Sequence, residues 1–168
     1  MVIFQEIKPD EITENPFKLI GGDWFLITAG SLSSFNTMTA GWGGFGILWH
    51  KNVCTIYVRP SRYTYDFLEK NDMFTLSFFD EKYKDALKVC GTKSGRDIDK
   101  PAEAGITPFP TSSGSVAFEE ARLVIECLKI YSDDIDPSLF LKKSIEKSYP
   151  SGDYHRVYVG EIQKVLTI

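Results

Sequence analysis

Residues 36–52 read "NTMTAGWGGFGILWHKN". Small polar residues give way to glycines set around Trp42 and Trp49. Gly41, Gly43 and Gly46 match the GxGxxG spacing of a dinucleotide-binding turn. That fingerprint needs a strand before it and a helix after it, because the helix N-terminus holds the pyrophosphate. Here Gly46 leads into "ILWHKNVCTIYV", a Lys51–Asn52 turn followed by a β-branched strand. The context fails. The stretch reads instead as a glycine-bulged strand pair, in which Trp42 and Trp49 pack in the core.

The surrounding chain supports a β-rich fold. "DWFLITAGS" (23–31), "NTMTAGWG" (36–43), "VCTIYV" (53–58), "MFTLSFF" (73–79) and "RLVIECLKIY" (122–131) read as strands. "DYHRVYVGEIQKVLTI" closes the chain as one or two more, with Gly160 as a bulge. Between them, Pro60 stops a strand, and Ser61 caps a helix carrying Tyr63, Phe67 and Leu68 up to Asn71. "EKYKDALKVCGTKSG" reads as a helix ending in a turn at Gly91, "RDIDKPAEAG" as a broken piece, and 136–149 as a short helix. About six strands with few helices, and no steady strand–helix alternation, predict an all-β or β-rich barrel.

Composition narrows the function classes. The 168 residues suit one domain spanning 1–168. A net charge of −4 gives no overall attraction for nucleic acid or an anionic membrane, so any anion site must be a local cluster. Cys54, Cys90 and Cys127 are odd in number and widely spaced, as expected of free thiols in a reducing cytoplasm. His50 and His155 complete no metal motif. No basic-then-apolar leader opens the sequence and no apolar run reaches membrane-span length, so the reading is cytoplasmic.

Two local clusters suit an anion. "RPSRYT" brings Arg59, Ser61, Arg62, Tyr63 and Thr64 to a helix start, where free N–H groups and partial positive charge collect. "GTKSGR" brings Thr92, Lys93, Ser94 and Arg96 together with Gly91 and Gly95, which let backbone donors approach closely. Neither is a Walker A loop. Each alone is also readable as a capped turn with solvated charges. Both beside the Gly/Trp/Thr stretch point to a ligand with a phosphate and a flat ring. Asp66 and Glu69 read as a solvated helix face rather than an acid–base pair.

"NTMTAGWGGFG", "VRPSRYTYDFLEKNDMFTLSFF", "CGTKSGRDIDK" and "DYHRVYVGEI" occur in the order of the landmarks of the flavin reductase-like family, and the chain resembles it from about Trp24 to Val165. The resemblance implies a Greek-key FMN-binding split barrel, non-covalent FMN, and a homodimer with flavin near the interface. It places Asn36, Met38, Thr39 and Ala40 along the flavin ring, with Trp42 and Gly43 beside them. It sets Arg59, Ser61, Arg62, Tyr63 and Thr64 at the phosphate, and closes Thr92, Lys93, Ser94, Gly95 and Arg96 over it. His155 falls near the nicotinamide side. Here Tyr154 stands between Asp153 and His155, where relatives read "GDH". The alternative for His155 is a strand-end histidine at a wet surface.

Flavin carries its own redox chemistry, so no nucleophile–base pair is required. Three functions follow as expectations. The first is an NADH- or NADPH-dependent flavin oxidoreductase. The second is a flavoredoxin-type electron carrier served by a redox-protein partner. The third is a flavin-binding module without turnover.

Overall fold

The computed structural model describes residues 2–168. Its strands are β1 (Gln5–Ile7), β2 (Phe25–Ser31), β3 (Ser34–Ala40), β4 (Gly43–Leu48), β5 (Lys51–Val58), β6 (Met73–Phe78), β7 (Pro108–Pro110), β8 (Val116–Phe118), β9 (Leu123–Asp134) and β10 (Arg156–Thr167). Helices are α1 (Tyr63–Lys70), α2 (Lys84–Thr92) and α3 (Lys100–Ala104). The main sheet runs β3-β2-β6-β9-β10-β5-β4, with β1 added beside β10, and every pairing is antiparallel.

The sequence predicts about six strands, whereas ten form among the described residues. Three of the extra ones, β1, β7 and β8, are three residues long and too short to show alternation. Another arises because the 36–43 segment is two strands, broken at Gly41–Trp42. The glycine stretch is therefore a β3–β4 corner, and β4 continues where a dinucleotide fold needs a helix.

The barrel interior is filled by Phe25, Ile27, Phe74, Leu76, Phe78, Ile125 and Tyr158, all buried. Each such apolar side chain contributes roughly 1.5–3 kcal/mol on burial. A second cluster, including Leu26, Leu87, Cys90, Phe118 and Val124, seats α2 on the outer face of the sheet. Gly160 lies at a register shift in β10, as its sequence position predicts. A Cβ there would meet Phe74 Cζ at 2.5 Å and Cys127 Cβ at 2.8 Å, so the barrel can close only over bare backbone. Beneath it Cys54 and Cys127, both free thiols, bring their Sγ atoms to 3.2 Å.

Several local expectations need correction. The β4–β5 turn is Trp49–His50, not Lys51–Asn52, and both residues have positive φ (50° and 59°) as a tight two-residue hairpin demands. Trp49 thus sits at an exposed tip against the edge of Tyr131, and Trp42 is 52% exposed; neither packs in the core. Arg62, not Ser61, occupies the N-cap of α1, and the Ser61 hydroxyl bonds Asp153 instead. Helix α2 runs through Gly91 to Thr92. The broken piece after it contains α3, capped by Asp99. Residues 136–149 form two 3-10 turns, Pro137–Leu139 and Lys143–Ser148, rather than a helix. Their apolar residues Leu139, Leu141 and Ile145 are exposed, so no packed face supports helix propagation. Glu69 is not merely solvated, since it accepts the Tyr158 hydroxyl at 2.6 Å and pairs with Arg156.

Candidate functional site

Three small cavities lie in a row where β3, the β5–α1 connection and the end of α2 meet. The first, about 190 Å³, is lined by Met38, Thr39, Ala40, Gly41, Trp42, Tyr57, Arg59, Arg62 and His155. The second, about 190 Å³, is lined by Ser61, Arg62, Tyr63, Gly91, Thr92, Lys93, Ser94 and Lys100. Arg62 belongs to both. The third includes Asn36, Gly95 and Lys100. Segments far apart in sequence are thus gathered by the β2–β3 hairpin and the two helices flanking it.

The second cavity is strongly cationic, lined by Arg62, Lys93 and Lys100. Arg62 Nη2 is buried and has no hydrogen-bond partner among the described residues. Burial, and then the charge of Arg59, push the Arg62 guanidinium below its ordinary value. Lys100 is only 4% exposed. Its Nζ donates to the carbonyls of Thr37 and Cys90, each at 2.8 Å, and forms no ion pair among the described residues. Burial first, then Arg62, lowers the Lys100 ammonium to about 8. A buried ammonium beside a half-buried guanidinium, neither with an ion-pair partner among the described residues, is costly, and an unmade hydrogen bond at the buried Arg62 Nη2 adds about 1–3 kcal/mol. A bound anion relieves both. The N-terminus of α1 adds free N–H groups to the same side.

The remaining predicted residues divide by what they already hold. Arg59 is committed to Asp153 (2.6 Å) and to the Ser148 carbonyl (2.8 Å). Lys93 pairs with Glu103. Arg96 pairs with Asp66 (2.9 Å) and lies 4.4 Å over the Tyr63 ring, outside all three cavities. Asn36 donates to Thr64 Oγ1 at 2.8 Å and lines the third cavity, not the Trp42 cleft. Thr39 gives its hydroxyl to the Leu87 carbonyl and lines the Trp42 cleft. Thr92 and Ser94 hydroxyls bond the Lys88 carbonyl and the Arg96 amide. Gly43 lines a larger neighbouring cavity of about 510 Å³, walled by Phe17, Ile20, Trp42, Tyr57 and Tyr149.

His155 is buried, which overturns the wet-surface alternative. Its ring lies 5.0 Å from Trp42, and its Nδ1 is 2.8 Å from the Tyr149 hydroxyl. Burial, then Arg59, lowers the imidazole to about 4 against the opposing pull of Asp153. His155 is therefore neutral at pH 7. Sequence reasoning passes over Lys100 and Tyr149. Lys100 stands behind an Asp99 cap and before Pro101, a helix-start signature that marks its backbone but not its burial.

The matching family model, the flavin reductase like domain, covers residues 19–168, and the chain belongs to that family. Solved structures share the fold. An FMN-binding protein from Thermus thermophilus, with bound 1-cyclohex-2-enone, is 22% identical, with 96% of this chain and 76% of that chain covered and a TM-score of 0.68. Flavoredoxin of Desulfovibrio vulgaris (Miyazaki F) is 22% identical over 96% of this chain and 77% of its own, TM-score 0.68. An FMN-binding domain of a flavin reductases-like enzyme from Shewanella baltica OS155 is 15% identical over 99% and 78%, TM-score 0.72. No curated protein matches the sequence. The expected split β-barrel with few short helices is the fold observed. None of the helices among the described residues is long and apolar enough to cross a membrane.

Proposed function

We propose that the chain is an FMN-binding flavoprotein that accepts hydride from a reduced nicotinamide. The observation that carries this reading is a pair of cations with no ion-pair partner among the described residues, the buried Lys100 and the half-buried Arg62 with its buried, unpartnered Nη2, facing one cavity. That donor set fits a terminal phosphate, with Arg62 supplying a planar fork and Lys100 a point charge. The adjoining cleft, lined by Met38, Thr39, Ala40, Gly41 and the aromatic Trp42 and Tyr57, suits a flat ring. Bound flavin would supply the redox chemistry, while the protein binds the phosphate, orients the ring and excludes water. A neutral His155 donates or accepts hydrogen bonds there without bringing a charge.

A homodimer is part of the proposal. Strand β4 ends the sheet with one edge unpaired among the described residues. Beside that edge Phe17, Ile47, Leu48 and Trp49 are exposed. An apolar free edge of this kind is a surface that proteins normally cover.

Anaerobic addition of NADH or NADPH to the FMN-loaded protein tests the activity. The flavin absorbance should bleach with saturation in nicotinamide, and added free flavin should restore it over many cycles. Bleaching by dithionite but by neither nicotinamide would replace the reductase reading with that of an electron carrier.

A further inference from the structure

Tyr149 and His155 form a buried pair at the junction of two cavities. Tyr149 lines the apolar cavity of about 510 Å³, and His155 lines the Trp42 cleft. Gly41, Trp42 and Tyr57 line both. The Tyr149 hydroxyl and His155 Nδ1 are 2.8 Å apart. No other hydrogen bond reaches that hydroxyl among the described residues. If Nδ1 held the proton, the phenolic hydrogen would have no protein acceptor among the described residues, and an unmade hydrogen bond at a buried group costs about 1–3 kcal/mol. The hydroxyl therefore donates to Nδ1, and the neutral imidazole carries its proton on Nε2. Nε2 makes no hydrogen bond to any described residue. The ring of Tyr149 is itself held by Phe140, by Tyr154 and by the Arg59 guanidinium 4.8 Å from its centroid.

The geometry points to Tyr149 as a positioning residue that fixes His155 as the Nε2–H tautomer, making a neutral donor for a carbonyl oxygen on a planar ring in the Trp42 cleft. This rests on the flavin reading for the identity of the ring, not for the tautomer. The carbonyl has two sources, the flavin itself or the carboxamide of an incoming nicotinamide. A neutral donor selects a carbonyl over a carboxylate less by attraction than by offering no compensating charge for an anion. The charged and titratable groups around the pair are Arg59 and Asp153, which face each other, with Tyr154 on the ring and Arg62 and Tyr57 across the cleft. Burial is the main reason the imidazole stays uncharged through neutral pH; Arg59 adds to it and Asp153 opposes it.

The tautomer is read by long-range proton–nitrogen NMR on cofactor-free, histidine-labelled protein, in which His50 is the only other signal. His155 should show a protonated Nε2 and a bare Nδ1 from pH 8 down to pH 5. Tyr149→Phe, which keeps the ring, should convert this to a mixture containing Nδ1–H while the amide spectrum stays dispersed. A wild-type Nδ1–H tautomer, or identical imidazole signals in Tyr149→Phe, overturns the inference even if flavin binds as proposed. Failure of FMN to bind leaves this measurement intact and sinks only the flavin reading. In FMN-loaded protein, His155→Ala should either shift the bound-flavin spectrum and potential without nicotinamide, marking the flavin carbonyl, or raise the nicotinamide KM about three- to tenfold at unchanged spectrum, marking the carboxamide. His155→Gln, which keeps an N–H donor, should recover part of either effect. No change in spectrum, potential or KM on His155→Ala overturns the carbonyl assignment.

Discussion

A Cβ built on Gly95 would lie 1.9 Å from Asn36 Oδ1. The α2–α3 loop and strand β3 therefore touch through bare backbone, and the Asn36 amide is pinned there by its bond to Thr64. Gly95→Ala forces that buried amide out of place. We expect destabilisation of roughly 1–3 kcal/mol, typical of overpacking, and weaker FMN binding as the wall carrying Lys100 shifts. Thermal denaturation and FMN titration check it; an unchanged melting temperature contradicts the close approach.

The Lys100 ammonium predicts a pH dependence of cofactor affinity. Its group sits at about 8 in the free protein, and an anion beside it raises that value, so binding takes up a proton near pH 8. FMN affinity should fall as pH rises above about 8, and Lys100→Met should bind more weakly at pH 7 but lose that slope. The effect is checked by fluorescence titration from pH 7 to 9.5.

His155 predicts a separate dependence of stability on pH. Its folded value, about 4, lies below the ordinary 6.5, so between these values the unfolded chain binds more protons. Stability is fully present above about pH 6.5 and is lost as pH falls toward 4, by up to about 3 kcal/mol. Urea denaturation of wild type and His155→Gln across this window should show a shallower slope in the variant.

The exposed β4 edge predicts self-association. Ile47→Lys, at a position facing solvent in the monomer, should shift light scattering from dimer to monomer while leaving the fold intact. A wild-type monomer at micromolar concentration contradicts the homodimer proposal.

What could be read from the sequence was local. β-Branched and aromatic runs mark β2, β5, β6 and β9, and Gly160 marks the bulge in β10, because these signals reside in neighbouring residues. The cationic and hydroxyl residues gathered at 59–64 are legible for the same reason. Lys100 was not, because its acceptors are the carbonyls of Thr37 and Cys90, the first of them 63 residues away. Tyr149 ends the 136–149 segment, and it is the turn at Gly152, after that segment, that brings its hydroxyl to His155. Arg59 looked like a phosphate ligand by position, yet Asp153, 94 residues on, holds it. Ion-pair partners across such separations are set by topology, not by spacing.

Comparing FMN with riboflavin tests most directly the proposal that Arg62 and Lys100 hold a terminal phosphate. The two ligands share the ring and differ by the phosphate alone. Calorimetric titration of the cofactor-free protein at pH 7 should give FMN an affinity at least about tenfold higher, since charge-assisted bonds contribute about 1.5–3 kcal/mol each. Arg62→Met should erase most of that difference while leaving riboflavin binding near its wild-type value. Equal affinities for FMN and riboflavin in the wild-type protein would contradict the account.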